Sequence, residues 1–510
     1  MNPKLNALPE GPRGREPLLA SSLRRLLTSP PEFQQFMAQR QTRRAFLGRA
    51  SQGVGLLALA SLLHPALLRA GATGTRKDRW TGVITPPDYP PKVRRVIWLT
   101  MAGGPSHLET FDYKPKLAQM HGKPMPPSFT EGKQIAQLQG QKLVCFGPQH
   151  GFRTFGRNAT EICELFPQIG SVIDEICLIR SMTTEAINHD PAHMFMNTGS
   201  QIAGRPSMGA WATYGLGTES EDLPGFVVLT SLGRGGQNQP IAARQWAAGL
   251  LPSRFQGVQF RSKGDPVLYL GTPAGVTHAQ QQDVVQTIGA LNAQHDAVVD
   301  DPEISTRIVQ YEMAFRMQTS VPELMDIKPE GTKTLELYGC QPGDGSFASN
   351  CLLARRLAER GVRFIQLYHK DWDHHGGVKE GIAFKAQEVD RACMALITDL
   401  KRRGMLEETL IVWTGEFGRT PMSQGGDGRD HHNAGFSIWM CGGGLKAGFV
   451  YGATDELGYS AVENRVDVHD LHATMLRLLG VEHTKLAVKF QGLDVRLTGI
   501  AGNVIEPILA

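Results

Sequence analysis

The 510-residue sequence predicts an α/β protein whose central sheet is mostly parallel and carries helices on both faces. Three observations predict it. Short, nearly continuous apolar runs rich in β-branched and aromatic residues recur along the chain, as strands buried on both faces require. Segments with helical periodicity lie between them. Glycine, histidine and carboxylate residues follow several of the runs, where such sheets place their ligand-binding loops.

The expected strands, in order, are Val93–Met101, Ile176–Arg180, Val362–Tyr368, Leu410–Thr414 and Phe436–Cys441. A helix is expected over Phe347–Glu359, ahead of Gly361 and a strand. In the next helix Val389, Cys393, Leu396, Ile397 and Leu400 form one apolar face that ends at Gly404. Residues 204–342 are rich in Gly, Gln and Pro and read as a less regular elaboration, with a helix near Ile304–Gln318. That elaboration is expected to shape a substrate mouth or an interface.

The N-terminal part reads as an address rather than as fold. Thr42-Arg43-Arg44-Ala45-Phe46-Leu47 matches the twin-arginine export pattern, the apolar stretch Gly53 to Leu68 follows, and Ala70-Gly71-Ala72 offers small residues for cleavage. The stretch contains His64 and Pro65 and falls short of the roughly 20 residues a spanning helix needs. Residues 43–72 are therefore expected to be a signal peptide, with the twin-arginine translocase as partner and the periplasm or the exterior as destination. Residues 1–42 read as a polar extension, disordered or untranslated, with Met37 as the expected start. Residues 73–92, with four prolines near their end, read as a linker, and 93–510 as the α/β domain.

Charge and composition exclude several functions. The chain carries +4, but residues 1–72 hold ten basic residues against three Glu. Removing their +7 leaves −3, which gives no electrostatic reason for nucleic-acid binding. No apolar stretch after residue 72 is long enough to span a bilayer. The seven cysteines show no CxxC pair, which excludes a zinc ribbon. Cys177, Cys393 and Cys441 sit in apolar runs and read as core, while the Cys145–Cys163 spacing permits a disulfide. No GxGxxG follows the first strand, so a dinucleotide-dependent oxidoreductase is not expected.

Four strands deliver polar groups to one sheet edge. After Val93–Met101 come Gly103-Gly104-Pro105-Ser106-His107, Glu109 and Asp112. After Ile176–Arg180 come His189-Asp190-Pro191-Ala192-His193 and Thr198-Gly199. Asp371-Trp372-Asp373-His374-His375-Gly376-Gly377 follows the third strand. Glu416-Phe417-Gly418-Arg419-Thr420 follows the fourth, and Gly428-Arg429-Asp430-His431-His432 comes next. Neutral imidazole and carboxylate are the ligand set of zinc and related divalent metals. Arg419 and Arg429 can pair with an anionic group in bidentate fashion. Ser106, in a glycine-rich turn after a strand, is a candidate nucleophile.

From about Arg94 to Val495 these segments resemble the domain-of-unknown-function family 1501, exported bacterial proteins of the alkaline-phosphatase and sulfatase superfamily. The signatures are GGPSHLETFDYKP, HDPAHMFMNTG, GRPSMGAWATYGLG, LPGFVVL, LARRLAERGVRFIQL, WDHHGG, WTGEFGRTP and GRDHH, and VDVHDLHATMLRLLG is similar to the superfamily's closing helix. The resemblance implies an alkaline-phosphatase-like fold. It also implies an Asp-His-His metal site at Asp373, His375 and His431, with Glu416 as an acidic ligand. Relatives hold two metals and place an acid directly after the first strand. Ala102-Gly103-Gly104 stands there in this chain, leaving Glu109 or Asp112 to substitute, so one zinc-like metal is expected rather than two. Sulfatases carry Cys or Ser, then x-Pro-Ser-Arg, with Thr-Gly nine and ten residues beyond the nucleophile. His189, Pro191, His193, Thr198 and Gly199 occupy those offsets, which puts histidine at the nucleophile position and argues against formylglycine chemistry. His107, His193 and Asp430 complete the candidates. The expected function is an exported metal-dependent hydrolase of an anionic small-molecule or glycan ester, phosphate or sulfate. The alternative is a catalytically silent binding or assembly protein on the same fold.

Overall fold

The computed structural model describes residues 80–231, 233–261, 265–267, 275–299 and 302–510. The expected signal peptide, residues 43–72, and the expected extension before it lie outside the described residues. The chain divides into two compact units. One includes residues 272–315, whose described part carries the helix His278–Val299 and the start of the helix Pro302–Met325. The other takes in residues 77–271 and 316–510 and contains the central sheet and the residue clusters that follow.

Its centre is a nine-stranded sheet. In chain order the strands are β1 (Arg95–Met101), β2 (Ile176–Thr183), β3 (Phe226–Ser231), β4 (Val258–Phe260), β5 (Phe364–His369), β6 (Thr409–Thr414), β7 (Phe436–Gly442), β8 (Val450–Tyr451) and β9 (Val466–Asp467). Their spatial order is β8-β2-β7-β6-β1-β5-β3-β4, with β9 also beside β2. All pairings are parallel except those of β7, which runs antiparallel to both β2 and β6. Because β7 reverses twice, β2 runs in the same direction as β6, β1 and β5, and all four end at one edge. The register makes that edge flush: Met101 lies opposite His369, and Thr100 opposite Thr414.

Period-two alternation gives each strand two buried faces. Val96, Trp98, Val412 and Ile438 share one core with Phe195 and Met196 of α1 (His189–Thr198). Ile97, Leu99, Ile365, Leu367, Ile411 and Trp413 point the other way and are equally buried. There α2 (Phe347–Glu359) packs on β5 and β3, and α3 (Val378–Arg402) packs on α2. The expected stripe Val389, Cys393, Leu396, Ile397 and Leu400 is buried on α3 and extends back to Ile382 and Ala386. Burying each such side chain contributes about 1.5–3 kcal/mol. The last helix, α4 (Val468–Leu478), covers the first face with Leu471 and Met475. A reciprocal cap starts it: Asp467 accepts the His469 N–H at 2.9 Å, and Asp470 accepts the Asp467 N–H at 2.9 Å.

Several local readings change. Residues 204–342 are not only elaboration, because β3 and β4 lie in that stretch and join the central sheet. The expected helix near Ile304–Gln318 falls within Pro302–Met325. Residues 80–92 lack regular structure, yet they are tied down rather than free as a linker would be. The Val83 and Ile84 N–H groups donate to Tyr214 and Gly215 carbonyls at 3.2 and 2.9 Å, and Lys92 N donates to Leu478 O at 2.8 Å. All seven cysteines are buried and unpaired, so Cys145 and Cys163 form no bridge. Among the described residues no helix is long and apolar enough to cross a membrane.

Candidate functional site

The flush strand ends place four chain segments around one point. β1 ends in the turn Gly103-Gly104, β2 leads to the first turn of α1, β5 leads into residues 370–377, and β6 leads to Glu416. Gly103 has φ +122°, and a Cβ there would lie 2.5 Å from the Asp373 backbone nitrogen, so only glycine lets the first turn approach the Asp373 segment. After Glu416 the chain forms a hairpin, Gly418–Gln424 with Gly428–His432, where no element was expected from the sequence. The hairpin carries His431 back over the strand ends.

His189, Asp373, His375 and His431 each offer a ligand atom, and these atoms all lie within 4.8 Å of one another. Asp373 Oδ1 is 3.0 Å from His375 Nε2 and 3.3 Å from His431 Nε2, and those two nitrogens are 3.0 Å apart. Asp373 Oδ2 is 3.2 Å from His189 Nε2. That nitrogen is buried and makes no hydrogen bond. Side-chain exposure falls from 30% at His375 to 6% at His431, so the cluster opens on the His375 side.

The opposite ring nitrogens fix the chemistry. His189 Nδ1 faces the Glu416 carboxylate at 2.6 Å, and His431 Nδ1 faces the Ile187 carbonyl at 2.9 Å. His375 Nδ1 faces Gln424 Oε1 at 2.5 Å, while the amide nitrogen of Gln424 donates to Gln137 Oε1 at 2.9 Å. All three partners accept, so each Nδ1 carries a proton, and each Nε2 is the atom that can turn a lone pair to the common point once it gives up any proton of its own. Asp373 lies 3.0–3.3 Å from the three Nε2 atoms, and those of His375 and His431 are 3.0 Å apart, so the group needs positive charge at its centre, from protons on the rings or from a cation that replaces them. A tetrahedral zinc-like ion with bonds of 2.0–2.1 Å sets its ligand atoms about 3.3 Å apart. The residues therefore fit a divalent cation, with Glu416, Gln424 and the Ile187 carbonyl orienting the ligands from behind.

Charge follows the same plan. Burial raises the Asp373 carboxyl, but His189, His375, His431 and Arg419 outweigh it and hold it well below the usual carboxylate range. Burial lowers His189, yet Asp373 and Glu416 together push it up to about 9. Burial works against the Glu416 charge as well, but His193 and His189 keep the carboxyl at about 2. Burial lowers His431, and it lowers His374 to about 3. His374 packs over Gly381 and is not a member of the cluster.

Other expected residues take different places. Glu416 is not in the Asp373 cluster: its carboxylate accepts the Gly103 N–H at 3.0 Å and the Gly104 N–H at 3.1 Å, and it reaches His189 from behind. Together with His193, which is fully buried, and the partly buried His189, it forms a second, deeper group. His193 is completely buried, with neither ring nitrogen hydrogen-bonded. The two arginines are not available to an anion. Arg419 donates to the Gly103, Gly104 and Arg429 carbonyls and pairs with Asp373 at 2.5 Å. Arg429 pairs with Glu109 at 2.6 Å and donates to the Thr420 and Gly147 carbonyls. Ser106 is buried and donates to Glu109, so it faces that ion pair instead of a substrate. His107 bonds the Gly458 carbonyl at 2.9 Å. Asp112 pairs with Lys114 at 2.9 Å, and Asp430 accepts N–H groups of Leu138 and His431, both at 2.8 Å. Glu109 and Asp112 thus serve neighbouring loops and supply no ligand to the cluster. Gln424 and Ile187 escaped the sequence reading because a lone glutamine and a backbone carbonyl carry no pattern.

A comparison with curated proteins finds no match. Among solved structures the chain is similar to the PsFucS1 sulfatase from Pseudoalteromonas sp., at 13% identity and TM-score 0.31, covering 76% of this chain and 68% of that one. The phosphonate monoester hydrolase SpPMH from Silicibacter pomeroyi gives 12% identity and TM-score 0.31, with 68% and 71% covered. The alkaline phosphatase of the Antarctic bacterium TAB5 gives 11% identity and TM-score 0.28, with 76% and 98% covered. Residues 93–509 match the family model described as "Protein of unknown function (DUF1501)", and the chain belongs to that family.

Proposed function

We propose that the chain is a metal-dependent hydrolase of phosphate or sulfate esters that works outside the cytoplasm, with one divalent cation held by Asp373, His375, His431 and His189. One observation carries the reading: three imidazole Nε2 atoms and a carboxylate converge, and each imidazole is locked by an acceptor on its far side. The nitrogen-rich donor set suits zinc. When bound, such an ion supplies Lewis-acid polarisation of an ester oxygen and of an attacking water. His189 then serves as a ligand, since an Nε2 turned to a cation is not free to attack an ester. Glu416 keeps the His189 proton on Nδ1, and Arg419 balances the Asp373 charge without reaching substrate. The ester class rests on the resemblance of the sequence motifs. Export rests on the twin-arginine pattern at Arg43 and Arg44 and the apolar run after it.

One observation favours a non-enzymatic binding protein on the same fold. Four protein side chains can close a tetrahedral shell, as structural sites do, and Arg419 and Arg429 are already engaged. The experiment that decides is a screen of chromogenic phosphate monoesters, phosphate diesters and sulfate esters with zinc-loaded protein. The hydrolase reading expects turnover of at least one class that His431→Ala abolishes. No turnover of any class, or turnover unchanged in His431→Ala, contradicts it.

A further inference from the structure

We propose that Gln237 is the positioning residue for the cation-binding carboxylate Asp373, and that residues 233–237 form a strap controlling how tightly the cation is held and how fast it leaves. The proposal rests on the metal reading above.

Asp373 sits in a stretch without regular secondary structure, residues 371–374, so no ladder of hydrogen bonds fixes its backbone. Gln237 supplies the missing pair. Its Nε2 donates to the Asp373 carbonyl at 2.8 Å, and its Oε1 accepts the Asp373 N–H at 3.2 Å. One side-chain amide thereby satisfies both backbone groups of the ligand residue, as a neighbouring strand would. The strap is gripped in return. The Asp371 carboxylate accepts the Gln237 N–H at 2.6 Å and the Gly236 N–H at 3.0 Å. Two residues upstream of the ligand, Asp371 thus holds the segment that holds the ligand.

The grip is built to be close. Asp371 is buried and has φ +72°, a conformation that Asp tolerates better than most residues. A Cβ on Gly233 would fall 2.6 Å from Asp371 Oδ2, so the strap needs glycine to pass. Lys385 Nζ faces the same carboxylate at 3.8 Å and pairs with Glu388 at 2.8 Å. Glu388 in turn lies 3.2 Å from His369 Nε2 at the end of β5. Asp371 is therefore anchored to α3 and the sheet, while Gln237 reaches across to Asp373. If the amide bonds are lost, the Asp373 backbone gains freedom, and its carboxylate no longer stays where the three imidazoles converge.

The test uses the full chain with zinc as probe. Gln237→Met keeps the length of the side chain and removes the amide, and Asp371→Asn weakens the grip on the strap. Zinc affinity is measured against a chromophoric chelator, and the stripping rate is followed in excess chelator. The expected result is an affinity roughly ten-fold or more below wild type in Gln237→Met, the scale seen when an outer-shell partner of a metal ligand is lost. Stripping should accelerate by more than any fall in the melting midpoint of the zinc-free protein accounts for. Asp371→Asn should shift affinity in the same direction, which keeps the test open if the first variant folds poorly. Unchanged zinc affinity in both folded variants overturns the proposal and leaves the metal site standing. A loss of affinity matched by a lower melting midpoint without zinc also overturns it, since the strap would then be only structural. Wild-type protein that takes up no zinc overturns both the proposal and the reading beneath it.

Discussion

Glu416→Gln is the substitution that separates a cation ligand from a charged hydrogen-bonded pair at His189. The Glu416 carboxylate is fully buried and takes three backbone N–H contacts from Gly103 and Gly104, besides His189 Nδ1 at 2.6 Å. Glutamine keeps the shape but offers one acceptor oxygen. Whichever way the amide turns, its NH2 meets either the glycine N–H groups or the His189 proton. The charge-assisted bond that fixes His189 is worth about 1.5–3 kcal/mol. At 1.36 kcal/mol per decade, that is roughly ten- to a hundred-fold in cation affinity. Proton competition opposes this effect. Glu416 also helps hold His189 at about 9, so in the cation-free protein a proton competes for the ring. Removing Glu416 weakens that competitor too. The lost charge acts on two positive charges in the bound state and on one in the protonated state, so the loss of affinity wins. The assay is zinc titration against a competing chelator at neutral pH, with circular dichroism as a check on folding. Affinity within two-fold of wild type in a folded variant would refute the reasoning.

Three further outcomes follow from buried polar groups. Arg429→Met should lower stability by about 3–5 kcal/mol in chemical denaturation, because it strands the buried Glu109 carboxylate. Ser106→Ala, which touches the same Glu109, should leave zinc content unchanged by elemental analysis. His472 is buried against the Met196 carbonyl, and burial, with His469 nearby, lowers its pKa to about 4. The unfolded state then binds the extra proton first. Stability should fall as pH drops from about 6.5 to 4, by about 3 kcal/mol, and a flatter denaturation profile in His472→Gln would confirm the source.

The sheet was legible in the sequence wherever a strand is buried on both faces, because continuous apolar runs such as Val96 to Leu99 have few other uses. β3 was missed although Phe226 to Leu229 carries the same signal, since its Gly- and Pro-rich surroundings suggested irregular chain. The hairpin bearing His431 was missed for a different reason. Its strands GRTPMSQ and GRDHH are polar sequences buried by ion pairs and carbonyl contacts rather than by apolar packing. Among site residues, Asp373, His375, His431 and His189 announce themselves by type and by position after a strand. Arg419, Arg429 and Ser106 have the same types and positions, yet they face inward. Residue type tells which groups can bind an anion or attack an ester, but only the packing shows that Glu109 and the Gly103 and Gly104 carbonyls have already claimed them.

Metal content tests the central claim most directly. Full-chain protein folded in metal-replete medium should carry one divalent cation, and X-ray absorption should place three nitrogen atoms and one oxygen at about 2.0–2.2 Å from it. The double variant His375→Ala, His431→Ala should carry none. Folded wild-type protein without a cation, or a double variant that retains the full content, would contradict the account.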